Sequence, residues 1–123
     1  MFLNFAQINE LYPRSYMGHF ELICIFKPNL NKEKTDESIS EINKLIESAS
    51  GSVIDTELWG VKDLAYTMQG NKTGFYFFSQ IEIEGKNLDQ IRKKMVMNEN
   101  IIRSLFVKVN EHEKLPSVMM QSK

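Results

Sequence analysis

The residues of this sequence best suited to chemistry are basic side chains and one tyrosine, a combination that suits contact with a nucleic acid. Lysine and arginine contact phosphate oxygens, and a tyrosine ring can stack on a base or a ribose. Basic side chains on exposed surfaces more often serve only to keep a protein soluble. The candidates that we single out are Lys62, Tyr66, Lys72, Arg103 and Lys108. For the tyrosine, packing beside Trp59 is an alternative role.

This sequence has few residues that are placed to support catalysis. His19, His112 and Cys24 lie far apart along the chain, and Cys24 falls on a predicted buried strand face, where a thiol is usually unreactive. The turn at residues 27–30 has neither the glycine-rich loop nor the arginine that an acyl-phosphate hydrolase would need to hold an anion. We therefore predict no enzyme, no catalytic residue, no metal site, no cofactor and no small-molecule substrate.

Length and charge further limit the classes of protein to which this chain can belong. A chain of 123 residues suits one domain, and it has no apolar run near the roughly 20 residues that span a bilayer, so we expect no membrane association. It has 15 basic and 16 acidic residues, for a net charge of −1. Binding to a polyanion therefore needs locally clustered basic residues or a basic partner, because bulk charge supplies no attraction.

Hydrophobic periodicity predicts the elements that must position the candidates. Two helices are predicted. The first has an apolar face from Ile39 to Ala49, a cap at Asn31 or Thr35, and a left-handed stop at Gly51. The second begins near Asn87 and has Leu88, Ile91, Met95 and Val96 on one face. Strands are predicted at 19–26, 52–59, 74–84 and 101–109, with 62–68 extended after a break at Gly60 and a hairpin turn at 69–73.

The order strand, helix, strand, strand, helix, strand predicts an α+β fold. Right-handed crossovers then give a ferredoxin-like βαββαβ sandwich, in which a four-stranded antiparallel sheet carries both helices on one face. The first strand is apolar on both faces and should be central. We expect an N-terminal extension at 1–16, the ferredoxin-like domain at 17–109, and a loose C-terminal tail at 110–123.

A family resemblance begins with the residues around Gly60. In order along the chain these are Gly60, Lys62, Leu64, Ala65, Tyr66, Met68 and Gly74. The stretches 17–21, 28–30 and 98–103 add further matches, as does Lys108. Together they resemble the signature of small-subunit ribosomal protein six, the bacterial-type family, across residues 17–109. Two positions depart from its pattern: Gly18 replaces a basic residue, and Met68 stands where isoleucine is commoner.

The resemblance implies the same fold and a structural role in the small ribosomal subunit. It implies binding to the central domain of small-subunit rRNA, jointly with small-subunit ribosomal protein eighteen. That partner would help a chain of net charge −1 to bind RNA. On this reading the five candidate residues are RNA-binding residues. The expected location is a ribosome in the bacterial cytoplasm, with a mitochondrial or plastid ribosome as the alternative.

Two other functions compete with this interpretation. Residues 25–30 and 72–77 loosely resemble the two motifs of a free RNA-recognition module, which would bind single-stranded RNA on Tyr76 and Phe78 of the open sheet face. Thr73 interrupts the expected step from a basic residue to glycine, and Tyr76 stands where a small residue is preferred. A third class is a ferredoxin-like dimerisation or small-ligand domain without an RNA role.

Overall fold

A computed structural model describes residues 17–115. The strands are β1 (Gly18–Phe26), β2 (Ser52–Met68), β3 (Asn71–Ile83) and β4 (Ile101–Val109). The helices are α1 (Lys32–Ser48) and α2 (Leu88–Val96), with a 3-10 turn at Gly85–Asn87 before α2. The predicted extension at 1–16 lies outside the described residues, as does the part of the predicted tail at 110–123 that follows residue 115. No helix within residues 17–115 is long and apolar enough to cross a membrane.

The four strands form one antiparallel sheet in the order β2-β3-β1-β4. This confirms the predicted ferredoxin-like arrangement and the central place of β1. The prediction worked because a strand that is apolar on both faces is stable only between two neighbours and beneath a covering layer. β2 and β4 are the edge strands, so most of the candidate residues lie on opposite edges of the sheet.

The hydrophobic core lies between one face of the sheet and the two helices. Alternate residues of β1 supply Phe20, Leu22, Cys24 and Phe26, and β3 supplies Phe77, Ile81 and Ile83. The helices contribute Ile42, Ile46, Leu88, Ile91 and Met95. Val96 was predicted to share this face, and that was wrong, because it is 80 % exposed. A helix turns about 100° per residue, so Val96 points well away from the line through Ile91 and Met95.

Helix α1 begins as predicted but ends differently. Asn31 is the N-cap, since its side chain accepts a hydrogen bond from the Lys34 amide at 2.8 Å. The left-handed residue after the helix is Ser50, with φ of 63°, and not Gly51. Gly51 is needed for space instead, because a Cβ at that position would lie 2.9 Å from Ile46 Cγ2. The helix end can therefore pack directly on the sheet.

The turn between β2 and β3 is tighter than predicted. Gln69 and Gly70, with φ of 48° and 78°, form a two-residue connection between Met68 and its partner Asn71. Positive φ at both positions is the geometry that matches the right-handed twist of paired strands. β3 therefore begins at Asn71, before the predicted start of the strand at residue 74.

Candidate nucleic-acid interface

The face of the sheet opposite the helices, here called the open face, carries the candidate site. Residues directly opposite each other in neighbouring strands share a face. Ile25 pairs with Arg103 of β4 on one side and with Tyr76 of β3 on the other, and none of the three belongs to the core cluster. Arg103 therefore lies on the open face, at the end where β1 stops and β4 begins.

A bulge in β2 places Lys62 on the same face. Leu58 pairs with Phe77 and Gly60 pairs with Tyr76, so Trp59 is an extra residue between them. Gly60 takes φ of 84°, a left-handed conformation that glycine adopts at low cost. One extra residue moves every later side chain of the strand to the opposite face of the sheet. Lys62 consequently pairs with Gly74 on the open face, whereas regular pairing would have turned it toward the helices.

The far end of the β2–β3 hairpin, residues 62–72 and here called the hairpin end, reaches past the end of β1 to β4. Arg103 donates a hydrogen bond from its guanidinium to the Tyr66 hydroxyl at 3.3 Å. The Gln69 side-chain amide approaches the Ile102 carbonyl at 3.5 Å. Tyr66 thus bonds to Arg103, and the ring that Trp59 stacks on is Phe78. Two strands at opposite edges of the sheet meet at this point.

Three of the five candidates are thereby connected through a short series of contacts. Lys62 pairs with Gly74, Gly74 abuts Ile25, and Ile25 pairs with Arg103, which bonds to Tyr66. Lys72 lies two residues before Gly74 on β3, which places it on the same face and at the same end, exposed to solvent. Lys62, Tyr66, Lys72 and Arg103 are the cluster called here the basic end.

Lys108 does not belong to the basic end. It pairs with Phe20, a core residue, so it lies on the helix side of β4 and near the other end of that strand. Its neighbours there are Gly18 and Gly85, around a shallow cleft at the start of β1. A molecule bound at the basic end could contact Lys108 only through a second segment.

The middle of the open face is apolar. Leu105, Ile23 and Phe78 lie side by side across β4, β1 and β3. Trp59 stacks on Phe78 with ring centroids 5.0 Å apart and an angle of 11° between the planes. Phe78 is only 4 % exposed, whereas Leu105 is 47 % exposed. Phe78, one of the two aromatic rings that a free RNA-recognition module would use here, is therefore already covered by the chain's own tryptophan.

The other end of the open face is acidic and partly covered. Glu21 and Glu82 lie there on neighbouring strands, beside Gln80, and Glu82 approaches His19 at 3.4 Å. The segment at 110–115 crosses this end: the Gln80 amide donates to the Glu113 carbonyl at 2.7 Å, and the His112 ring meets the His19 ring edge-on at 5.0 Å. Carboxylates would repel phosphates, so this end is unsuited to RNA.

No ion pair within the described residues 17–115 neutralises the charges of the basic end. Across residues 17–115, Lys86 pairs with Glu84, Arg92 pairs with Asp89 and the His19 ring approaches Glu82, and none of these contacts includes a residue of the basic end. Tyr66 is 62 % exposed beside Arg103. Exposed cations beside an aromatic ring can contact phosphate, ribose and base together.

The residues considered for catalysis do not form a catalytic pair. Cys24 is fully buried on the core face, where desolvation raises the pKa of its thiol to about 12. His19 and His112 meet, although they are far apart in sequence, but they do so on the open face, on the opposite side of the sheet from the thiol. Within the described part of the chain, no group of three or more His, Cys, Asp or Glu residues is placed to hold a metal ion.

Three residues that support this site were not anticipated. Ile25 and Leu64 pack around Gly74, and Gln69 contacts β4. The sequence places Gln69 in a turn and Ile25 on a strand, but nothing in it indicates that the hairpin bends back onto the other edge. Only the contacts between distant segments reveal their role.

Comparison with known proteins gives a consistent result. The family model described as "Ribosomal protein S6" matches residues 19–108. Small ribosomal subunit protein bS6 of Zymomonas mobilis is 31 % identical over 105 residues, which is 85 % of each chain. The bS6 protein of Rickettsia canadensis is 32 % identical over 106 residues, covering 86 % of this chain and 88 % of its own length.

Solved structures also share this fold. The 30S ribosomal protein S6 of Thermotoga maritima matches with a TM-score of 0.71 at 22 % identity, covering 76 % of this chain and 88 % of its own. The C-terminal domain of the MgtC protein of Mycobacterium tuberculosis matches with a TM-score of 0.55 at 7 % identity, covering 80 % and 94 %. At these identities the likeness concerns the fold alone.

Proposed function

This chain belongs to the ribosomal protein S6 family, whose members are structural, non-enzymatic components of the small ribosomal subunit, and from that premise we propose that it binds small-subunit rRNA through the basic end of its open face. The observation that carries the proposal is the meeting of the two sheet edges, where Tyr66 of β2 bonds to Arg103 of β4. The family membership confirms the resemblance seen in the sequence.

The proposed mechanism is positioning by a rigid sheet. Lys62 and Arg103 contact phosphates, and Tyr66 contacts a ribose or a base beside them. Double-stranded and junction RNA is recognised mainly by shape and by contacts to phosphates and 2′-hydroxyls. A fixed spacing between cations on two strands therefore selects an RNA of matching shape, and we propose the central domain of the small-subunit rRNA. Lys72 extends this surface, and Lys108 contacts a separate RNA segment.

The proposal includes a protein partner, small-subunit ribosomal protein eighteen. Two features support it. The net charge of −1 gives no bulk attraction to RNA. Leu105 and Val107 leave 47 % and 39 % of their surfaces exposed on β4, next to Arg103, which suits a protein contact adjoining the RNA. Because the bS6 relatives are bacterial proteins, we propose a ribosome in the bacterial cytoplasm as the location.

The test is salt-dependent binding of the chain to a central-domain rRNA fragment, with and without the partner. We expect tight binding only with the partner. Lys62→Ala combined with Arg103→Ala should weaken binding and lower the slope of log affinity against log salt by about 2, since each phosphate contact contributes roughly 0.9. Thermal unfolding should change little, because Arg103 is exposed and Lys62 is only half-buried.

The matched control is Lys44→Ala combined with Lys93→Ala. It removes the same charge from exposed positions on the helices. If both double variants lose affinity equally, net charge and not the basic end determines binding. If the Lys62 and Arg103 variant binds at full strength, the assignment of the site is wrong.

A further inference from the structure

Ile25 is one of the buried side chains of the open face, with 8 % of its surface exposed. Phe78 and Gln80 of the same face are 4 % and 3 % exposed because Trp59 and the segment at 110–115 lie against them, whereas Leu105 is 47 % exposed. The helices cannot cover it, because they lie on the other side of the sheet. Gly74 lies directly against it, and Tyr76 and Arg103 flank it on the two neighbouring strands.

Gly74 makes this cover possible. A Cβ added at Gly74 would overlap Ile25 Cγ2 and would lie 3.5 Å from Leu64 Cδ2. The backbone of Gly74 is therefore pressed directly on the isoleucine, with the leucine beside it. Glycine is required here by space, since Gly74 is not among the residues with positive φ.

The polar contacts that join the hairpin end to β4 are too weak to hold it alone. Tyr66 to Arg103 at 3.3 Å and Gln69 to Ile102 at 3.5 Å are both exposed to solvent. Exposed interactions of this kind contribute little, because water competes for the same groups. Apolar burial is not subject to that competition, so the contact between Gly74 and Ile25 is the stronger restraint.

We propose that Gly74 and Ile25 are positioning residues, whose contact seats the hairpin end over the end of β1 and so joins Lys62 and Tyr66 of one edge strand to Arg103 of the other. This inference rests on the proposed function, because the assembled surface is the one proposed to bind rRNA. Neither residue carries charge or contacts RNA. Their effect on affinity acts entirely through the placement of the basic end.

The experiment measures amide hydrogen exchange at residues 64–73 and rRNA affinity on the same variants. Gly74→Ala should speed exchange in the hairpin end by about tenfold or more while exchange in the second half of β3 changes far less, because the opening is local. Affinity for the central-domain fragment, with the partner present, should fall by a similar factor. Ile25→Ala, which adds no bulk, should act in the same direction.

Two comparisons make the result specific. Combining Gly74→Ala with Ile25→Ala should slow the exchange relative to Gly74→Ala alone, because the new methyl group occupies space that the isoleucine has left. Ile23→Ala removes the same atoms from the neighbouring row of β1 and should leave the hairpin end protected. Gly85→Ala, where a Cβ would meet nothing closer than 3.6 Å, should behave like the parent.

The outcomes separate this inference from the proposed function. Unchanged exchange in both Gly74→Ala and Ile25→Ala would overturn the inference, as would faster exchange with full rRNA affinity. If the parent chain and its partner fail to bind rRNA, the proposed function fails, and the exchange measurement still decides whether Gly74 and Ile25 seat the hairpin end. If Gly74→Ala does not fold, Ile25→Ala against Ile23→Ala decides alone.

Discussion

At the scale of single residues, Cys24 shows how the core controls chemical reactivity. It has no exposed surface, and its thiol pKa rises from 9.0 to about 12 because burial disfavours the thiolate. The thiolate is the reactive form. At pH 8 the folded chain should therefore react with iodoacetamide at least about 100-fold more slowly than the chain in denaturant, as followed by mass spectrometry.

The same shift gives a pH dependence of stability. Between pH 9.0 and about 12 the unfolded chain loses the thiol proton while the folded chain keeps it. The unfolded state then binds fewer protons, so the free energy of unfolding falls as pH rises through this window. Cys24→Ala should lack this part of the decline in denaturant titrations at pH 8 and pH 10. Equal declines in both proteins would contradict the assignment.

At the scale of elements, the bulge at Trp59 and Gly60 decides which face Lys62 occupies. Gly60 has φ of 84°, and a Cβ there would meet nothing within 4 Å. Gly60→Ala should therefore lower the free energy of unfolding by about 1 kcal/mol through backbone strain alone. Gly60→Asn should cost less, since asparagine tolerates this conformation better. A larger loss for asparagine in chemical denaturation would show that space, and not φ, limits the position.

Most elements were predictable, and the failures have a common cause. β1, the two helices and the turn near Gly70 follow from periodicity and turn chemistry, which are local properties. Gly60 was predicted only as a break, because sequence cannot show that Trp59 would be skipped in the register and that the faces would exchange. Four of the five candidate residues come together through that exchange and through the bend of the hairpin, and both depend on distant partners.

At the scale of the whole molecule, the open face is divided by charge. The basic end lies where β1 stops, and the acidic end, with Glu21 and Glu82, lies where β1 starts. A net charge of −1 thus conceals two regions of opposite character. Local charge of this kind can orient an approaching RNA even when net charge gives no attraction.

Removing the segment at 110–115 tests whether RNA affinity depends on the basic end of the open face alone. Removing residues 111–123 breaks the Gln80 contact to Glu113 and the contact between His112 and His19. We expect the free energy of unfolding to fall by about 2 kcal/mol, because two partly buried hydrogen bonds are lost, Gln80 to Glu113 and His112 to the Ile81 carbonyl, and Gln80 is opened to water. Affinity for the rRNA fragment without the partner should not fall, because the basic end is intact.

Lys62→Ala in the untruncated chain should behave in the opposite way, with weaker rRNA binding and an unchanged unfolding midpoint. If the truncated chain loses rRNA affinity as Lys62→Ala does, the removed segment contributes to RNA binding itself. Circular dichroism and salt-dependent binding measure the two properties on the same samples.

The bond between Tyr66 and Arg103 also bears on the order of events during synthesis. The two residues are separated by 37 positions, and the second belongs to β4, the last strand of the sheet to leave the ribosome that makes the chain. Contacts between distant segments form late, because the intervening chain must first be ordered. We therefore expect a growing chain to lack its RNA-binding surface until β4 has emerged and has added Ile101 and Phe106 to the core. An rRNA in assembly would then recruit finished molecules and pass over partial ones, without any separate inspection step.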